Sequence, residues 1–389
     1  MIRNRQVGIA MRSERDASLD AFKGLCLALV IFIHIQAGGG GAWLGKWANP
    51  FKLVGFFVVS GHLLALKSMV SSNGFGEAVM KKWRGIMLPY FTFCLLTLAV
   101  LVPLRTNTLS GATAYSNVII SQMVLLRGYS TLWFLPVLFV AEMFFIGALL
   151  LESRLRGRFG YWSLAVHPLF ALFATFLSIF LSPIAQSFIM VPPSQQLVGN
   201  VILTWLRALP AFVCIAVGYF AYGRLLALCR RHVGLLAGVG AVLVFVGFAT
   251  GRLLGGIDWN NNVYGGNLCL FLFSGIVSSF GLMLVFNLVS RYTSMPLLRF
   301  IGVNSLVLMA THLPLPIIML AKSVSAWICE QIPCFGAFLS GHFMVNCLWL
   351  FVIVIILEIP IVALFKYTPL KVLLGKKLHN SALVAKAEV

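Results

Sequence analysis

The sequence predicts an all-α polytopic membrane protein of about ten transmembrane helices, with both termini in the cytoplasm. Three observations predict it. The chain of 389 residues is 60% hydrophobic and only 10% charged, whereas a soluble domain carries about a quarter charged residues. Apolar runs of about 20 residues, long enough to cross a bilayer as helices, recur along its whole length. The basic residues fall in short clusters between those runs, as expected of cytoplasmic loops. An outer-membrane barrel would instead alternate polarity over ~10-residue segments, a pattern the chain lacks.

Residues 1–18 carry Arg3, Arg5, Arg12 and Arg15 and are expected to be cytoplasmic. Residues 19–365 form the transmembrane domain, and 366–389 a basic cytoplasmic tail. The first span covers about 19–38; an intramembrane His argues that it is retained and not cleaved as a signal peptide. The remaining spans are expected at 51–70, 86–104, 131–151, 161–181, 200–222, 233–251, 265–289, 299–320 and 341–365. The stretch 113–126, "TAYSNVIISQMVLL", is short and polar and reads as an interfacial segment. Counting it as a span would place "ESRLRGRFG" outside, against the positive-inside rule. With ten spans, most of the 29 Lys and Arg residues face the cytoplasm.

The net charge of +19 is thereby explained by topology. No basic stripe interleaved with aromatic residues marks a nucleic-acid surface, so nucleic acid is not an expected partner; membrane lipids are. The chain has eight cysteines, most of them inside apolar runs, where a free Cys behaves as a small hydrophobe. Cys329 and Cys334 in "CEQIPC" fit neither a common zinc spacing nor a redox CxxC. A disulfide between them stays open should that loop face an oxidising compartment. No metal is expected. The proposed outer loops, among them "QAGGGGAWLGKWANP" and "GRLLGGIDWNNNVYGGN", are rich in Gly, Asn and Trp. That composition suits turns, ring stacking and hydrogen bonding to a polar ligand, and equally suits interfacial anchoring.

Ionisable groups inside a membrane are costly and mark function unless they pair or snorkel. The first span holds Asp20, Lys23 and His34. Lys23 and His34 are eleven residues apart, hence within about 20° on one helix face, with a rise of roughly 16 Å between them. Asp20, three residues before Lys23, shares that face and is placed to pair with it. The second span, "GFFVVSGHLLALK", contains Ser60 and Gly61, small residues that permit close helix approach, and His62. "KKWRGIMLPY" sets Arg84 at the cytoplasmic start of the third span, suited to a phosphate or to ordinary positive-inside charge. "STLWFLPVLFVAEMFF" brings Trp133, Pro136 and Glu142; "FIGVNSLVLMATHLPLP" brings Asn304, Ser305 and His312. Arg207 and Glu358 are further intramembrane charges.

Taken in order, these five stretches resemble the integral-membrane acyltransferase family 3. The signature of its first helix is Arg or Lys, ten residues, then His, preceded by Asp; here Lys23, His34 and Asp20 match it. "FFVVSG", "WRGIMLPY", "LWFLPVLF" and "IGVNSLVLMATH" are similar to its later blocks. Lys23 and "WFLPVLF" resemble the fucose 4-O-acetylase-like branch. Lys23 stands where many members carry Arg, and His62 has no counterpart in the family block.

The resemblance implies an acyl-CoA-dependent O-acyltransferase of the bacterial inner membrane. It would move an acetyl or other short acyl group from cytoplasmic acyl-CoA, acetyl-CoA in the first instance, to a hydroxyl of a cell-envelope glycan or lipid-linked sugar. His34 and Asp20 are the expected catalytic residues. His34 acts as general base or through an acyl-imidazole, and Asp20 orients Lys23. Lys23 and Arg84 are expected to hold CoA phosphates. Ser60, Trp133, Glu142, Asn304, Ser305 and His312 are candidate acceptor contacts. The rival class is a transporter or flippase, for which intramembrane charges are equally natural; the absence of a clear internal repeat weighs against it.

Overall fold

The computed structural model describes residues 16–36, 42–67, 74–187 and 197–376. Arg3, Arg5, Arg12, Arg15, the glycine-rich stretch after the first span, the centre of the loop at 188–196, and Lys377 and Lys386 lie outside the described residues.

Helix α1 spans Ala17–Ile35 and begins where the Asp16 carboxylate accepts from the Ser18 and Leu19 amides, satisfying N–H groups that the first turn leaves free. Short α2 (Ala42–Ala48) and a turn precede α3 (Val54–Lys67). Helix α4 (Gly74–Lys82) runs through a π-turn at Trp83–Met87 into α5 (Leu88–Arg105), followed by α6 (Leu109–Val124). A 3₁₀ turn at Ser130–Trp133 opens α7 (Phe134–Phe159), which stops at Gly160 with φ 54°, a backbone state that favours glycine. Then come α8 (Val166–Ser187), α9 (Leu197–Val217) with a π-turn at Gly218–Tyr222, α10 (Gly223–Cys229) and α11 (Val233–Gly251).

The expected outer loop after α11 is in fact a small hairpin. Strands β1 (Ile257–Asp258) and β2 (Val263–Tyr264) pair antiparallel around a 3₁₀ turn, and Trp259 in that turn is buried. After it follow α12 (Leu268–Val289), α13 (Pro296–Val303), α14 (Ser305–Thr311), α15 (Ile317–Gln331), α16 (Pro333–Gly341) and α17 (Phe343–Tyr367). Among the described residues, seven stretches are long and apolar enough to cross a membrane, and α3 adds a shorter apolar helix. The protein is an all-α membrane protein.

Several expected boundaries differ. The span expected at 299–320 is broken into α13, α14 and the start of α15. The first break is at Asn304 (φ −103°, ψ 15°). The second follows His312, where Pro314 and Pro316 bring no N–H and cannot continue the helix. The span expected from 51 starts at Val54 because residues 51–53 form a turn. Cys329 lies in α15 and Cys334 in α16, so "CEQIPC" is mostly helical, and both cysteines are free thiols.

Two helix crossings are closed by glycine. A side chain at Gly24 of α1 would overlap the Leu298 carbonyl of α13, and one at Gly302 of α13 would overlap the Asp20 carbonyl of α1. In the same way Gly61 of α3 meets the Ile215 carbonyl, and Gly218 meets the Val58 carbonyl. In lipid no hydrophobic force draws helices together, so such backbone-to-backbone contact is a principal source of association. Gly24→Ala should therefore cost about 1–3 kcal/mol or more, lowering the thermal-unfolding midpoint in detergent. Gly76→Ala, where an added Cβ meets open space, should leave the midpoint unchanged or raise it slightly.

Candidate active site

The face of α1 anticipated from its periodicity opens onto two cavities. Near the start of the helix, Lys23 forms an ion pair with Asp20 at 2.7 Å. Lys23 also lines a cavity of about 180 Å³ together with Ser60 of α3, Leu138 of α7 and Ser305 of α14. Toward the other end, Val30 and His34 line a second cavity of about 360 Å³.

The larger cavity has a polar and aromatic wall. The turn before α3 contributes Asn49 and Lys52, the 3₁₀ turn before α7 contributes Trp133, and the hairpin contributes Asp258, Trp259 and Asn260. The Lys52 amine donates to the Asn49 side-chain carbonyl at 2.7 Å. Burial pushes this amine down to about 8, against the opposing pull of the Asp258 carboxylate. The Trp259 ring is held by its N–H, which donates to the Arg207 carbonyl at 3.1 Å. The guanidinium of Arg207, itself fully buried, lies 5.7 Å from the Trp133 ring and donates to the Arg127 carbonyl at 3.0 Å. Flat rings beside amide and charged donors are the pattern that holds a polar ring compound.

His34 meets a second imidazole. The His312 ring packs edge-on against it with centroids 5.4 Å apart. His312 Nδ1 lies 2.7 Å from the Leu308 carbonyl; a carbonyl only accepts, so Nδ1 carries the hydrogen. Its Nε2 is buried without a hydrogen-bond partner among the described residues. Beside it, Thr311 Oγ1 lies 2.8 and 2.7 Å from the two oxygens of buried Glu358.

A third polar group braces the small cavity. The Glu142 carboxylate accepts from the Ser60 hydroxyl and from the Lys82 amine, the latter at 2.7 Å. Ser60 is thus fixed from α7 while it faces Lys23 and Ser305. Glu142 lies in neither cavity wall and acts through Ser60. Asn304 donates its side-chain amide to the Phe300 carbonyl at 2.8 Å, a bond local to the helix break, and lines neither cavity. Arg84 sits exposed on the π-turn and also lines neither. Sequence reasoning missed Lys82, Asn49, Lys52 and Asp258; the Asn- and Trp-rich composition of the outer loops was the one signal that pointed toward the hairpin.

Fold and site together define a polytopic helical membrane protein with an imidazole pair at the wall of the larger of two cavities. The chain belongs to acyltransferase family 3: a family model described as an acyltransferase domain matches residues 16–367. It is a membrane acyltransferase. No curated protein and no solved structure gives a significant match.

Glu142→Ala would leave the Lys82 ammonium without its carboxylate, which should cost about 3–5 kcal/mol. Replacing both residues by Met should recover most of that loss in detergent unfolding measurements. For Lys52 the expected pH effect has a definite sign. The unfolded chain keeps this proton up to the ordinary value of 10.5, while the folded protein releases it at about 8. Between those values the unfolded state binds more protons, so stability rises with pH. The difference in unfolding midpoint between wild type and Lys52→Met should grow in favour of wild type across that window.

Proposed function

We propose that the protein transfers a short acyl group, acetyl in the first instance, from cytoplasmic acyl-CoA to a hydroxyl of a cell-envelope glycan or lipid-linked sugar. One observation carries this reading: a single face of α1 presents a cation to one cavity and an imidazole to the other. The donor is charged and cytoplasmic, and Lys23 supplies a counter-charge for CoA phosphate in the small cavity. Arg84, exposed nearer the surface, adds a second cation along the approach. The thin pantetheine arm then follows α1 toward His34. The acceptor occupies the large cavity, where Trp133 and Trp259 offer ring faces and Asn49, Lys52 and Asp258 offer polar contacts.

The chemistry follows. His34 takes the proton of the acceptor hydroxyl, whose oxygen attacks the thioester carbonyl. The C–S bond breaks as the C–O ester bond forms, and the proton passes from His34 to the departing CoA thiolate. His34 lies in the wall of the acceptor cavity, which favours the general-base route over an acyl-imidazole. His312 and Asp20 act as positioning residues for His34 and Lys23.

The topology that suits this reading has ten crossings and cytoplasmic termini. Ser130–Ile184 supplies two, divided at Gly160; α3 and the broken α13–α15 supply one each. The N-terminal arginines then face the cytoplasm, the donor side. The Lys23 variant of the first-helix signature, together with "WFLPVLF", supports placement in the fucose 4-O-acetylase-like branch, and with it a place in the bacterial inner membrane.

His34→Ala should lower acylation about 10²–10⁴-fold while the protein still inserts and elutes as a folded species in detergent. Mass spectrometry of envelope carbohydrate from cells with wild-type or His34→Ala protein reads this as a lost acyl mass; near-normal acylation overturns the proposal. Lys23→Ala should raise KM for acyl-CoA with little change in acceptor KM.

A further inference from the structure

The cations around the large cavity lack counter-charges in contact. At the small cavity Lys23 meets Asp20 and Lys82 meets Glu142, both at 2.7 Å. Lys52, half-buried in the wall of the large cavity, has no carboxylate within ion-pair distance among the described residues. Its amine donates to the neutral Asn49 side chain. Asp258 stands in the same wall and its charge reaches Lys52 across the cavity, yet the two do not touch. The Asp258 Oδ2 accepts instead from the Asn261 side-chain amide at 2.7 Å.

A second cation stands behind that wall. Arg207, wholly buried, rests its guanidinium against the Trp133 ring. Its Nε and Nη2 have no hydrogen-bond partner among the described residues, and the side-chain oxygen of Asn260 on the hairpin is buried in the same condition. Lys52, Arg207 and Asp258 together leave one positive charge in excess beside the cavity. A cation withdrawn from water without a counter-charge is costly, and a cleft of one sign concentrates ligands of the other. The group this wall lacks is an anion.

We propose that the acceptor is an acidic sugar whose acid group, a carboxylate or a phosphate, lies on the Lys52 ammonium while a hydroxyl is presented to His34. This rests on the acyl-transfer reading above and narrows its acceptor to one charge class. Lys52 and His34 line the same cavity, so one bound sugar can meet both. Asp258 and Asn260 then accept from further hydroxyls, and Trp133 and Trp259 offer ring faces to the sugar. Arg207 adds attraction through the aromatic wall without touching the ligand. The bonds made and broken are unchanged: thioester C–S breaks, ester C–O forms, and the hydroxyl proton passes through His34 to the CoA thiolate. The acid group takes no part in the transfer.

The test uses detergent-solubilised full-length protein, radiolabelled acetyl-CoA, and a glycan and lipid extract from cells that lack the protein. One portion of the extract is left untreated. A second is reduced with carbodiimide and borohydride, which turns carboxylates into alcohols and spares phosphates. A third is methylated with diazomethane, which caps both. For a carboxylate, wild-type transfer should fall about tenfold to a hundredfold in both treated portions; for a phosphate, it should fall in the methylated portion alone. Undiminished transfer to all three portions overturns the acidic acceptor and leaves acyl transfer standing. Absence of transfer to the untreated portion overturns the acyl-transfer reading itself, and the acidic acceptor with it. On the untreated portion Lys52→Met should lower transfer by a similar factor, and Lys52→Arg should restore most of it. Undiminished transfer by Lys52→Met overturns the place given to the acid group. Should that variant fail to accumulate, Lys52→Gln serves for the same comparison.

Discussion

The backbone contact between α1 and α13 is the constraint on which the site depends. At Gly24 and Gly302 each helix presses on a carbonyl of the other, Leu298 and Asp20 respectively. No side chain fits between them, so the crossing has a single depth. The carbonyl that Gly302 touches belongs to Asp20, the residue whose carboxylate holds Lys23. The ion pair is therefore set in place by a helix contact and not left to the reach of a long side chain. From that point the break at Asn304 redirects the chain, and α14 runs on with Ser305 beside Lys23 and His312 beside His34.

Short α14 also explains why the imidazole pair is orderly. Irregular backbone is tolerated at membrane depth only where it is buried in protein or lines a cavity. Asn304 closes the first break by bonding back to Phe300, and His312 bonds back to Leu308 just before the proline-rich turn. Each side chain adds a second hydrogen bond to a carbonyl that already accepts from the backbone N–H of the same residue. For His312 the same bond fixes the tautomer and leaves the second nitrogen buried without a partner among the described residues.

How far the site could be read from the sequence depends on how local its contacts are. Asp20, Lys23 and His34 are joined by the period of one helix, and the spacing alone placed them on a shared face. Gly61 was legible as a close-approach residue because small residues serve that purpose in any membrane bundle. The Ser60–Glu142–Lys82 group was not: its members come from α3, α7 and α4, and no periodicity links residues so far apart. Lys52, at the start of the span expected at 51–70, carried no signal because only the folded hairpin brings Asp258 and Trp259 to the same cavity. The break at Asn304 was hidden for the opposite reason. Its flanks are largely apolar, and hydropathy reports depth in the membrane without reporting whether the helix is continuous.

The wall of the large cavity is itself fixed by packing. Trp259, held by its bond to the Arg207 carbonyl, packs on Phe57 at 5.0 Å, and Phe57 packs on Phe134 at 4.9 Å. The hairpin and Phe134, which lines both cavities, thus belong to one aromatic row. Thr131, in the same turn as Trp133, holds the backbone of Met309. A protein interior is close-packed, and a change of one methylene is felt. The placement of Phe134 and Met309 beside both cavities is then a property of the folded core.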